Sequence, residues 1–108
     1  MLGKKSTDGY QQPVDGVELK TLVHGTKTSM HEFRMKKGGT LPLHSHPHEQ
    51  TGYLISGKIS LAIDSQNHEM NPGDSWNIPG DVEHSVEVHE DALVVEVFSP
   101  VREDYLQK

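Results

Sequence analysis

A chain of 108 residues with 32% apolar side chains is one domain's worth and can bury one modest core and little more. Its formal net charge is −6, and its basic residues cluster no further than the pairs Lys4–Lys5 and Lys36–Lys37, so no nucleic-acid partner is expected. It has no cysteine, which excludes disulfides and thiolate metal sites and suits a cytoplasmic location. No run approaches the ~18 consecutive apolar residues of a membrane span.

Residues 1–15 read as a polar arm broken by Gly9 and Pro13, and residues 16–108 as one domain. Val17 to Val23 is the first predicted strand. Met30 to Lys36 follows, with Phe33 and Met35 on one face and Glu32 and Arg34 on the other. Lys37-Gly38-Gly39 punctuates the chain before Leu41 to His46. Tyr53 to Ile55 leads to a tight turn at Gly57. Ile59, Leu61 and Ile63 alternate with Ser60, Ala62 and Asp64, the pattern of a half-buried strand. Asp64 to Asn67 reads as a hairpin loop and Asn71-Pro72-Gly73-Asp74 as a turn. Ser75 to Ile78, His84 to His89 and Leu93 to Phe98 are the last strands, and Arg102 to Lys108 is the one stretch with helical periodicity longer than a turn. Short strands separated by turn signals predict an all-β sandwich or barrel. The low apolar share predicts either a thin-walled barrel or apolar surface buried against a second subunit, and with it a homodimer.

Histidine is in excess, with eight in the chain. On a strand, residues i and i+2 share a face, so His44 and His46 project together. Gln50 follows past Pro47, where the chain bends onto the next strand. His84 shares a face with Val86 and Val88, and an imidazole among inward valines needs a partner. Three imidazole nitrogens and an amide oxygen suit one divalent transition metal (Zn, Mn, Fe, Ni, Co or Cu) better than Ca or Mg. Four protein ligands on a six-coordinate ion leave two positions for water or substrate. His48 lies beyond the strand break at Pro47 and is expected behind the site or in solvent. His24, His31, His68 and His89 are expected near turns or on polar faces.

The spacing resembles that of the cupin family. Gly38, five residues, His44-Ser45-His46, three residues, Gln50, six residues and Gly57 follow its first motif. Gly73, five residues, Pro79-Gly80-Asp81, two residues and His84 follow its second. The resemblance implies a double-stranded β-helix, a jelly-roll barrel with the metal inside, and frequently a dimer. Gln50 replaces the family's glutamate, Asp81 stands where a second glycine is usual, and Val88 stands at an asparagine position. The first change is chemical. A neutral ligand leaves the full metal charge in the barrel, which favours an anionic ligand such as a carboxylate.

Within the family, His44 to Gln50 and Val97 to Leu106 look like the small cupins of pectin and alginate breakdown, which convert cyclic 4,5-unsaturated uronates to linear keto forms. That resemblance implies roles for Glu96, Phe98 and Arg102, with Glu96 where those proteins usually carry Asp. The residues point the same way in part. Glu96 interrupts an apolar strand and shares a face with Val94 and Phe98. If that face is inward, Glu96 can act as general acid or base, Phe98 lines the substrate pocket, and Arg102 can grip a carboxylate. The plainer expectation is that Glu96 faces outward at a subunit interface and pairs with Arg34 or Arg102. Trp76 and Tyr53 either line the pocket mouth or pack in the core or an interface. The expected function is a metal-binding cupin acting on a small anionic, oxygen-rich molecule, with ring opening of unsaturated uronates as its specific form. A metal-dependent dioxygenase and a non-enzymatic carbohydrate or small-molecule binding domain are the alternatives. A storage role is not expected of one barrel.

Overall fold

The computed structural model describes residues 1–106. Its elements are β1 (Gln11–Val14), β2 (Val17–His24), β3 (Ser29–Met35), β4 (Thr40–His44), β5 (Glu49–Ile63), β6 (Gln66–Met70), β7 (Ser75–Ile78), β8 (His84–Ser99) and a 3-10 turn at Glu103–Tyr105. All the strand pairs are antiparallel. Among the described residues no helix is long and apolar enough to cross a membrane.

β5 and β8 are the two long strands, and they pair along nearly their whole length, from Glu49 with Ser99 to Ile63 with His84. Each serves two sheet halves. The first half of β5 pairs with β7 and its second half with β6. The second half of β8 pairs with β3, and its first half with β4. The result is a jelly-roll barrel closed around one core. The sequence pattern splits both long strands in two, and the structure corrects this. Gly57 is not a tight turn. It sits at φ +92° within β5, where an added Cβ would lie 2.2 Å from the Asp91 carbonyl oxygen. Register shifts cluster from Leu54 to Ile59, so the strand bends through a bulge and continues. Glu90 and Asp91 mark the matching polar bend in β8.

Inward rows follow the two-residue period. β2 contributes Val17 and Leu19, and β3 contributes Ser29, His31, Phe33 and Met35. β7 contributes Trp76 and Ile78, and β8 contributes Ala92, Val94, Glu96 and Phe98. His31 is therefore not on a polar face; it is 0% exposed. The alternation that buries Phe33 and Met35 runs back through His31 to Ser29. The end of the arm is also structured, because β1 adds to the sheet edge beside β2. The hairpin between β5 and β6 is a two-residue turn, with Asp64 and Ser65 both at positive φ, and Gln66 and Asn67 already belong to β6. The expected helical segment is the single 3-10 turn; Gln107 and Lys108 lie outside the described residues.

Candidate functional site

His44 ends β4, His46 and Gln50 flank the entry to β5, and His84 opens β8. Pairing of His44 with His84 across β4 and β8 sets the first and last side by side, with ring centroids 4.2 Å apart. His46 lies 4.9 Å from His84 and 5.7 Å from His44 by the same measure. One nitrogen from each of the three histidines falls within 4.8 Å of the others.

The hydrogen bonds decide which nitrogen faces inward. Each Nδ1–H donates to a backbone carbonyl: His44 to Pro42 at 2.7 Å, His46 to His48 at 3.0 Å and His84 to Val82 at 2.9 Å. Each Nε2 is then the lone-pair atom, the tautomer a metal ligand needs. Gln50 is oriented by the same logic. Its amide nitrogen donates to Glu96 Oε2 at 2.7 Å, which leaves Oε1 turned away from Glu96. His46 Nε2, His84 Nε2 and Gln50 Oε1 are all buried without a hydrogen-bond partner among the described residues. Such atoms are costly unless something binds them, and a divalent ion fits this donor set. Burial lowers His84 to about 4. His46 is lowered too, first by burial and then by the Arg102 charge. Both imidazoles are therefore neutral and competent to ligate. His48 supports the site from behind, through the carbonyl that orients His46, and its own Nδ1 is also buried without a partner among the described residues.

Glu96 lies in this pocket and not on the outer face. It is 9% exposed and accepts from Gln50 and from Trp76 Nε1 at 3.0 Å. The reason is cross-strand register. Gly52 pairs with Glu96 on one side and with Trp76 on the other. A Cβ at Gly52 would lie 2.2 Å from the indole, so only glycine lets the ring lie flat on β5 with its N–H aimed at the carboxyl. Burial pushes the Glu96 carboxyl up, against the downward pull of the Trp76 and Gln50 donors and the Arg102 charge. Arg34 has a different acidic neighbour, Glu32, at 3.8 Å.

Phe98 is 1% exposed and lines the same cavity as the histidines, Glu96 and Arg102. Arg102 lies over Phe98 and Tyr105, with its guanidinium carbon 4.8 and 3.9 Å from the ring centroids. Its Nε and Nη2 fork onto Asp104 at 2.9 and 2.7 Å. Tyr53, by contrast, is 50% exposed. The roles of Gly52 and Tyr105 were not legible in the motifs, whereas Trp76, expected at the pocket mouth or in the core, is buried in the pocket lining. A glycine inside a strand is the signal that marks the first of them.

The cupin domain family matches the chain over residues 31–99. The chain is a cupin. The pectin degradation protein KdgF of Dickeya dadantii (strain 3937) is 24% identical over 99 residues, 90% of each chain. The solved structure of KdgF from Halomonas sp. superposes with a TM-score of 0.92 at 25% identity, covering 98% of both chains. An RmlC-like cupin from Shewanella frigidimarina NCIMB 400 reaches the same TM-score at 22% identity, a likeness of fold. The comparisons agree with the jelly-roll architecture.

Proposed function

We propose that this cupin is a metal-dependent enzyme that opens the ring of 4,5-unsaturated uronates. One observation carries the reading: the Gln50 amide joins the two halves of the site. Its oxygen is buried without a partner among the described residues in the cavity that the three histidines line, and its nitrogen holds Glu96. A metal-ligating pole and a buried carboxyl then share one pocket lined by Phe98. The likeness to KdgF proteins over nearly the whole chain supports the substrate class.

His44, His46, Gln50 and His84 would hold the ion, which supplies Lewis acidity toward substrate oxygens. The overall change moves one proton. The C1–O5 bond breaks, the C1 hydroxyl loses its proton, C4 gains one, and C1=O and C5=O replace the ring and the C4=C5 double bond. Glu96 suits both transfers. Burial raises it from the ordinary carboxylate range, the direction that suits a carboxyl serving as both proton donor and acceptor. Trp76 and Gln50 hold its Oε2, which leaves Oε1 for the substrate. Arg102 offers five N–H donors, two of them forked to Asp104, and the others suit the substrate carboxylate. Phe98 shields the carboxyl from water.

The test is a proton NMR time course of the metal-loaded protein with 4,5-unsaturated galacturonate beside a His46→Ala control. Accelerated loss of the vinyl proton with the wild type alone is expected. Equal rates in the two samples would overturn the reading.

A further inference from the structure

His31 has no place in this chemistry, yet it is fully buried and polar. Its ring stands edge-on to Phe98 and Tyr105, with centroids 5.5 and 5.3 Å away. Both ring nitrogens are engaged: Nδ1 lies 3.0 Å from Thr21 Oγ1, and Nε2 lies 2.8 Å from Ser29 Oγ.

Donor accounting fixes the direction of every bond. The Tyr105 carbonyl only accepts, so the Thr21 hydroxyl donates to it at 3.0 Å. Thr21 Oγ1 then receives the His31 Nδ1–H. Nε2 is left as an acceptor and takes the Ser29 hydroxyl hydrogen. Ser29 Oγ in turn receives the Arg102 backbone N–H at 3.0 Å. One uninterrupted chain runs from Arg102 through Ser29, His31 and Thr21 to Tyr105. It begins and ends on the same short segment. The imidazole works only when neutral, and burial and the Arg102 charge lower it to about 4.

That segment needs a clamp. Beyond Ser99 the chain leaves the sheet, and a single 3-10 turn orders it. Arg102 stacks on Tyr105, so whatever fixes the Tyr105 backbone and the Arg102 amide fixes the plane of the guanidinium. Gln11 of β1 adds a further tether, donating to the Tyr105 carbonyl at 2.8 Å.

We propose that His31, with Ser29 and Thr21, is a positioning unit that clamps Arg102 and Tyr105 from behind the pocket and so sets the affinity for a carboxylate-bearing ligand. This rests on the reading that Arg102 binds the substrate carboxylate. His31 does not itself touch the reacting atoms.

The test uses the full-length, metal-loaded protein with three variants. His31→Phe keeps the ring edges against Phe98 and Tyr105 and removes both nitrogens. Ser29→Ala cuts the Arg102 end alone. His31→Gln restores one donor and one acceptor. Amide hydrogen exchange, read by NMR, needs no turnover. Arg102 N–H should exchange at least tenfold faster in His31→Phe and Ser29→Ala, with the amides shared by β5 and β8 unchanged, and His31→Gln should recover part of the protection. With 4,5-unsaturated galacturonate, His31→Phe should raise KM about tenfold and change kcat less than threefold at equal metal content, again with partial rescue by Gln. Unchanged exchange at Arg102, or exchange that rises equally throughout the barrel, would overturn the clamp. Local release with unchanged KM would overturn its link to the ligand. If the wild type does not turn over the uronate, the proposed function falls, and the affinity arm passes to calorimetric titration with galacturonate. There a wild type that fails to bind, or a His31→Phe variant that binds equally well, overturns the link, while the exchange data still decide the clamp.

Discussion

Gly52→Ala tests whether one strand glycine sets the environment of the pocket acid. An added Cβ would stand 2.2 Å from indole Cε2 and 2.3 Å from Nε1, where carbon atoms ordinarily stop at about 3.5 Å. The Trp76 ring must therefore retreat by more than about 1 Å. Its bond to Glu96 Oε2, now 3.0 Å, would stretch past the ~3.5 Å at which such a contact ceases to be a hydrogen bond. Two effects follow. Overpacking costs about 1–3 kcal/mol, and each kcal/mol shifts the Tm of a domain this size by about 4–8 °C. Glu96 also loses a donor to its ionised form, so its carboxyl moves further up. Trp76 is the sole tryptophan, so its emission reports the displacement directly. Thermal melts and a 13C-carboxyl titration of metal-free protein complete the assay. A Gly52→Ala protein with wild-type emission, a Tm within a degree or two and an unmoved Glu96 titration would refute the argument.

The remaining predictions address the ligands, the pocket groups and acid stability. His46→Ala or His84→Ala should lose bound metal by elemental analysis, together with the stabilisation of about 2.7 kcal/mol that a metal at one hundred times its Kd confers; full metal content in both would remove these residues from the site. Glu96→Gln should lower turnover of the uronate about 100-fold or more, whereas Arg102→Ala should lower kcat/KM by roughly 10- to 100-fold, as for a lost charge-assisted hydrogen bond, with metal retained in both. Equal activity in either variant would exclude that residue. His31 has a folded value of about 4 against an ordinary 6.5, so the unfolded chain binds the proton more tightly. The stability it leaves intact above pH 6.5 is lost as pH falls toward 4, by about 2 kcal/mol between pH 6.5 and 5. Urea unfolding of metal-free His31→Gln should lack that increment relative to the wild type; parallel pH slopes would contradict it.

The parts of the site visible in the sequence are those set by local spacing. His44 and His46 reach one pocket as their two-residue spacing suggests, although β4 ends at His44 and His46 lies in the connection to β5 and not on the predicted strand Leu41 to His46, and the motifs carry Gln50 and His84 at fixed distances from turn residues. The parts that were not visible depend on partners far along the chain. Glu96 could face either way until register placed it beside Gly52, 44 positions earlier. The two long strands looked like four short ones, because Gly57 in one and Glu90-Asp91 in the other carry turn chemistry that the barrel uses as bends. His31 was readable in principle, since it has the parity of Phe33 and Met35. What hid it was its polarity, which local pattern assigns to solvent and which the Ser29 and Thr21 hydroxyls satisfy in the core.

The exchange of the family's glutamate for Gln50 has a physical reason in Glu96. A carboxylate at position 50 would face Glu96 Oε2 across the 2.7 Å that an N–H···O bond now spans. Two ionised carboxylates at that distance cannot coexist, and one would have to keep a proton. An amide presents an acceptor on one side and a donor on the other, so it can turn its oxygen to the histidine Nε2 atoms and its hydrogens to the buried acid. The neutral ligand and the buried acid are one arrangement. Gln50→Glu should therefore destabilise the metal-free protein by about 1–3 kcal/mol, the range for a buried polar group left unpaired, and the loss should deepen as pH rises and the second proton leaves. The exchanged pair, Gln50→Glu with Glu96→Gln, restores one donor and one acceptor across the gap and should recover most of that stability, although not the activity. Urea unfolding of the two single variants and the pair at pH 6 and pH 8 measures the coupling. Additive losses in the double variant would show that the two side chains do not act through each other, and the account of Gln50 would fail.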